Sequence, residues 1–278
     1  MTKGRFILSV LFLAAIGGIS LLISSEPVDE FSFSGKNGNT RIFAAGEELV
    51  YNVRYGFISL GKITVTIKET KETENGTLHM ANADIASYSG VPFVSLHHIY
   101  SSEMTSEFYS ICFESLEKNR DKWDLMRFKF DYDQMKVEIE EGVQGSEEVT
   151  DTLVIENYLQ DGLSIFYFAR GFIGSDEDIT IPTFINKDIV TTDFSFNGDR
   201  SSIRSKVVDY PVDVIELRGR ANFSGIFGMT GAFRGWFTND DAAIPIEAKL
   251  RVLIGNVTVE LIEWNRPGWN PPKYASNK

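Results

Sequence analysis

The feature that most limits the fold is a period of two in the apolar residues, recurring through most of the chain. In Lys62–Lys68, Ile63, Val65 and Ile67 fall on one side, with Thr64, Thr66 and Lys68 on the other. Met126, Phe128 and Phe130 likewise oppose Arg127 and Lys129, and Val137 and Ile139 alternate with Lys136, Glu138 and Glu140. Near the end, Val257, Val259 and Leu261 alternate with Thr258 and Glu260. Successive side chains of a strand point to opposite faces, so this pattern describes half-buried strands with one face toward a core. Asn75-Gly76, Asn197-Gly198-Asp199 and Gly255-Asn256 separate such runs, and Asn and Gly accept the positive φ of tight turns. The pattern predicts about eleven or twelve strands between Glu47 and Trp264.

One segment changes period. In Asn157–Phe172, Leu159, Leu163, Phe166 and Tyr167 take the i, i+4, i+7, i+8 spacing of a helix face, with Arg170 next along it and Gly171 as a stop. A single helix over roughly Val154–Arg170 is expected, packed on the sheet; a buried strand through Ile165–Phe168 is the competing reading. The fold class is therefore mainly β: a large curved antiparallel sheet or open barrel with one packed helix, preceded by an N-terminal apolar leader helix. No internal repeat points to a solenoid or propeller.

The N-terminus reads as an address. Lys3 and Arg5 precede an uncharged apolar run, Phe6–Ile23, followed at once by Ser24, Ser25, Glu26 and Pro27. A positive end before an apolar helix is what the export machinery recognises. The run is long for a cleaved signal and just long enough to span a bilayer, so residues 1–25 are a signal peptide or a retained anchor. Residues 26–42 form a Ser-, Gly- and Asn-containing spacer, 43–264 a single β-rich domain, and 265–278 a Pro-rich irregular tail. The expected location is outside the cytoplasm, in the periplasm, with membrane contact only through residues 6–23 if they are kept.

Charge narrows the partners. The 278-residue chain carries −12, and losing Lys3 and Arg5 with the leader would make the body more acidic still. Such a surface repels phosphate backbones and anionic headgroups, so nucleic acid is not an expected partner. The 21 phenylalanines supply bulk for a core, or for an apolar groove. A lone cysteine, Cys112, closes no intrachain disulfide and reads as a small buried hydrophobe.

Candidates for chemistry are few. The three histidines are His79, His97 and His98, and adjacent strand residues face opposite ways, so His97 and His98 do not share a metal. The acidic pairs Asp121/Asp124, Asp131/Asp133 and Asp240/Asp241 lack a partner motif; Asp131 and Asp133 suit a turn that bonds backbone. The run Gly225–Gly235 lacks the Gly-Lys-Ser/Thr of a phosphate loop and, with Phe223, Phe227, Phe233, Trp236 and Phe237 around it, reads as hairpins with bulges. No catalytic, cofactor-binding or metal residue is assigned.

Three stretches, in order, resemble a family of exported bacterial proteins catalogued as domain of unknown function 3108. They are Phe43–Gly56 (FAAGEELVYNVRYG) followed by Gly61, Asp161–Arg170 (DGLSIFYFAR), and Trp236–Pro245 leading into Gly255–Leu261. The resemblance implies an exported β-rich domain over about Phe43–Glu263 and brings no catalytic residue with it. Gly46-Glu47, Asp161, Arg170 and Asp240 within these stretches read as turn, cap and ion-pair positions. Three functions fit, in this order: a binder of lipid or another hydrophobic ligand in an apolar groove, a structural or assembly partner of envelope proteins, and a glycan hydrolase built on an acidic pair.

Overall fold

A computed structural model describes residues 41–275 apart from 92–94, 225–228 and 253–254. The expected leader and nearly all of the spacer lie outside the described residues. Among the described residues no helix is long and apolar enough to cross a membrane.

In chain order the strands are β1 (Glu48–Tyr55), β2 (Ile58–Thr73), β3 (Gly76–Ser87), β4 (His97–Thr105), β5 (Ser110–Asn119), β6 (Lys122–Asp131), β7 (Lys136–Val143) and β8 (Ser146–Val154). Helix α1 (Ser164–Phe172) intervenes before β9 (Asp178–Ile185), β10 (Asp188–Ser195), β11 (Arg200–Arg204), β12 (Pro211–Ser224), β13 (Met229–Thr238), β14 (Pro245–Val252) and β15 (Asn256–Asn265). All fifteen strands belong to one antiparallel sheet, in the order β8-β7-β6-β5-β4-β3-β2-β1-β15-β14-β13-β12-β10-β9, with β11 also on β12. The count exceeds the sequence-based expectation because short or mostly exposed strands such as β8 and β11 carry little alternation to detect. The last strand pairs with the first, so the two halves of the meander join at β1–β15. Register shifts put extra residues on β2, β5, β8, β12, β13, β14 and β15, and each extra residue bends its strand.

Those bends curl the sheet until its ends approach without pairing. Phe184 of β9 sits edge-on against Phe128 and Phe130 of β6, and Lys187 reaches Glu141 of β7 at 2.6 Å. The connection from β8 to α1 stitches the seam. Gln160 bridges Thr183 in parallel, with Phe184 N–H donating to its carbonyl at 2.7 Å. Leu159 O accepts from Ser110 N–H at 2.9 Å. Tyr132 Oη donates to Ser110 O at 2.7 Å and accepts from Leu159 N–H at 3.3 Å. β8 remains outside this closure, exposed along most of its length.

The helix is shorter than its sequence pattern predicts. Val154 ends β8, and Leu159 and Leu163 are buried in the seam segment rather than on a regular helix. Asp161 explains the late start. Its Oδ1 accepts from the N–H groups of Leu163 and Ser164 at 2.6 and 2.7 Å, while Ser164 Oγ accepts Asp161 N–H at 2.8 Å. This reciprocal cap fixes the entry turn just ahead of Ser164. Gly171 is also not a stop. It lies inside α1, and a Cβ there would come within 2.3 Å of Phe108 Cζ, so the missing side chain makes room for that ring. The chain leaves the helix through Gly174 at φ 79°.

The domain limits shift slightly at both ends. Ile42, assigned to the spacer, is buried, and Arg266 donates to the carbonyls of Arg41 and Ile42. The tail from 266 to 275 contains no strand but is tied down. Lys273 bridges Val212, Asp213 N–H donates to Pro272 O at 2.8 Å, and Tyr274 N–H to Pro211 O at 2.9 Å.

Candidate functional site: a lumen with a sealed base

One face of the curled sheet encloses a cavity of about 830 Å³. Its walls come from both halves of the sheet, including Ile63 and Val65 of β2, Phe113 of β5, Phe194 of β10, Leu217 of β12 and Leu250 of β14. The inward phase of the alternation seen in the sequence is the lining. The size falls in the roughly 300–1,000 Å³ range of small-molecule sites, and such sites are mostly apolar.

Helix α1 forms the base. Gly162, Ile165, Phe166 and Ala169, spaced i, i+3, i+4 and i+7, face the lumen. The other side of the helix packs on rings beneath it: Tyr167 against Phe43, and Phe168 and Phe172 against Phe108 and Phe196. The helix is thus apolar nearly all round, as a buried helix must be, rather than amphipathic on a sheet.

Polar groups lock the base in place. Arg170, wholly buried, donates to Glu47 through Nη1 at 2.6 Å and Nη2 at 3.0 Å, and to Ala242 O through Nη2 at 2.9 Å and Nε at 3.2 Å. Arg266 approaches the same carboxylate. Burial alone would raise the Glu47 carboxyl, but the two guanidiniums outweigh it and hold the group below the usual carboxylate range. Gly46, at φ 80°, makes the turn that presents Glu47, a conformation that a side chain would strain. On the far side, Asp161 Oδ2 accepts from Ser102 Oγ and Ser110 Oγ, both at 2.6 Å. Burial raises the Asp161 carboxyl, against the pull of these two hydroxyls and of the Ser164 and Leu163 amides. His79 completes the base, stacked on Phe43 at 3.7 Å and held between Thr70 Oγ1 and Ser106 Oγ. Burial pushes its pKa down to about 4, so it stays neutral near pH 7.

The opposite end of the lumen is open and lined by His98, Glu117, Asp124, Glu141 and Asn186. His98 lies 3.5 Å from Glu117, Asn119 donates to Asp124, and Lys187 and Thr150 donate to Glu141. Lys187, then Thr150, holds the Glu141 carboxyl low. At the same end, on the β1–β2 turn, Phe57 is 96% exposed.

The remaining sequence candidates disperse. His97 faces outward to Asp84 at 3.1 Å while His98 faces the lumen, as expected of neighbours on a strand. Asp131 accepts Gln134 N–H in a turn. Asp240 is saturated by Thr238, Ala242, Ala243 and Trp269, and Asp241 pairs with Arg41 at the surface. Cys112 is half-buried, its thiol pushed up to about 11 by burial. Among the described residues no group of three His, Cys, Asp or Glu side chains could hold a metal. Residues 225–228 of the glycine-rich run lie outside the described residues. The flanking strands β12 and β13 carry the register shifts expected of bulges. The sequence reading missed Tyr51, Ile165 and Phe166 as lumen residues. For Tyr51 the signal was present, since Leu49, Tyr51 and Val53 share the inward phase of β1.

Comparison with known proteins agrees with the fold. A crystal structure of a beta-barrel-like protein of the domain of unknown function DUF1849 from Brucella abortus aligns with a TM-score of 0.52 at 11% identity, covering 81% of this chain and 98% of that one. A putative exported protein with a YmcC-like fold from Bacteroides fragilis aligns with a TM-score of 0.35 at 9% identity, covering 80% and 96%. No curated protein matches. The model of the family described as Protein of unknown function (DUF3108) matches residues 50–262, from β1 to β15, and this chain belongs to that family.

Proposed function

We propose that this chain is an exported envelope protein that holds a lipid or other hydrophobic molecule in its lumen, without chemistry of its own. The observation that carries the reading is an apolar space of about 830 Å³ sealed at one end by α1 and open at the other. An ordinary core would fill that space, because protein interiors pack as densely as organic crystals and leave few voids larger than a water. Here Phe113 of β5, Phe194 of β10 and Phe233 of β13 are among the residues that line the space. Export is supported by the positive, then apolar N-terminus.

The test is binding of N-phenyl-1-naphthylamine, an apolar dye that fluoresces out of water, by the purified full chain. Saturable binding is expected, together with co-purifying apolar molecules in native mass spectrometry. Ala248, on the lumen wall, offers the control. Ala248→Trp narrows the space and should weaken binding while the circular dichroism spectrum stays unchanged. Dye affinity unchanged by Ala248→Trp would place the dye elsewhere and remove the reading.

A second reading, docking to other envelope proteins, draws on β8. As an edge strand with Val149 and Val154 exposed, it offers unpaired backbone to an added strand. Cross-linking from a residue on β8 in cells should then recover a defined partner, and recovery of background alone would count against it.

A further inference from the structure

The surface of this acidic chain is not charged evenly. On β12, β13 and β14, Arg218, Arg234 and Lys249 stand in register, each directly across from the next, and all three are exposed. Like charges placed opposite one another on neighbouring strands weaken a sheet. Carboxylates two residues closer to the base offset part of that repulsion. Glu216 meets Arg218 at 2.8 Å and Arg234 at 3.5 Å, Glu247 meets Lys249 at 3.2 Å, and Glu260 meets Arg54 of β1 at 3.2 Å. Two residues closer to the mouth the compensation stops. Arg220 of β12 and Arg251 of β14 are exposed, and among the described residues neither has an ion-pair partner. Asp193, across from Arg220 on β10, is bonded by Thr180 and Asn222 instead.

An apolar tip stands beside these cations. On the β1–β2 turn Phe57 is almost wholly in solvent, with Tyr55 and Ile58 also exposed. β1 lies two strands from β14, or about 10 Å, and Gly255 after β14 sits against the Tyr55 ring. The carboxylates at the mouth, Glu117, Asp124 and Glu141, belong to β5, β6 and β7 across the opening. At physiological salt a charge is screened beyond about 8 Å, so the cations act locally despite the net −12. Exposed aromatic and aliphatic side chains next to unpaired Arg match a bilayer surface, where apolar groups enter below the headgroups and cations meet anionic lipid.

We infer that the β12–β1 side of the mouth is a docking surface for an anionic lipid bilayer, with Arg220 and Arg251 on the headgroups and Phe57 entering beneath them. Docking does not depend on what the lumen holds. Together with the lumen reading, it turns the open end, not the sealed base, toward the membrane.

The experiment puts an NBD fluorophore, which brightens out of water, on Phe57→Cys in the full chain, with Cys112→Ser removing the native thiol. The same probe on Asn75→Cys, in the β2–β3 turn at the other end, is the control. Phosphatidylcholine vesicles containing phosphatidylglycerol should brighten the Phe57 probe and leave the Asn75 probe unchanged, and high salt should shrink the rise. An exposed cation at an anionic surface is worth roughly fivefold in binding, so Arg220→Glu with Arg251→Glu should raise the lipid needed for half the rise by about 25-fold or more. Contact made only through residues 6–23 would brighten neither probe, or both alike, and would overturn the inference. So would an equal rise on vesicles of phosphatidylcholine alone, or a response untouched by the double substitution. An equal response to soluble polyphosphate would assign the patch to a soluble acidic partner and overturn it too. The double variant should bind N-phenyl-1-naphthylamine as the unaltered chain does. Failure of that dye to bind either protein removes the lumen reading and leaves the docking surface standing.

Discussion

The two ends of the lumen are built on opposite principles. At the base every charged group is enclosed and matched: Arg170 with Glu47, Asp161 with two hydroxyls and two amides. At the mouth the carboxylates of Glu117, Asp124 and Glu141 are partly exposed and meet their partners at the surface. A charge out of water must be fully paired or it destabilises the fold, whereas a solvated one contributes little either way. One end therefore carries stability, and the other is free to admit a molecule.

If that contrast holds, the largest effect comes from breaking the base. Glu47→Gln leaves Arg170 charged in a dry site and should destabilise the fold by about 3–5 kcal/mol, read from chemical denaturation. A change under about 1 kcal/mol would mean that the base is not dry.

Acid comes next. His79 binds its proton near pH 4 when folded, against an ordinary value of 6.5. Between those values the unfolded chain is the better protonated, so the stability that His79 contributes falls as pH drops from about 6.5 to 4 and levels off below. The loss should reach roughly 2–3 kcal/mol, and His79→Gln, which keeps polar contacts without a titrating ring, should flatten that part of the profile. Identical profiles for both proteins would place the acid sensitivity elsewhere.

Gly171→Ala drives a methyl into the Phe108 ring and should cost about 1–3 kcal/mol, seen as a lower Tm. An unchanged Tm would mean that the helix can slide on the rings beneath it.

At the mouth, Glu117→Gln with Asp124→Asn should move stability by less than about 0.5 kcal/mol. The same pair should relax exclusion of an anionic competitor such as laurate in the dye assay. A loss of stability as large as that of Glu47→Gln would erase the distinction between the ends.

Much of this molecule is written locally. The period of two at Ile63–Ile67, Met126–Phe130 and Val137–Ile139 fixes both the strands and which of their faces turns inward, because side-chain direction on a strand depends only on position parity. Asn75-Gly76 and Gly255-Asn256 mark their hairpins for an equally local reason, the backbone angles they tolerate. The helical period around Ile165 and Phe166 announces α1 but misjudges its start, since the Asp161–Ser164 cap, not hydrophobic spacing, begins it.

Long-range pairing decided the rest. Glu47 and Arg170 meet only because β1 and α1 converge on the base, and nothing in either neighbourhood names the other. Gln160 stitches the seam by pairing with Thr183, a contact set by how far accumulated bulges curl the sheet. An apolar inward face is the same in sequence whether it meets another face or lines a space. Whether those phenylalanines fill a core or wall a lumen depends on the radius of the closed sheet and on where α1 lodges within it, and those are properties of the whole assembly of strands.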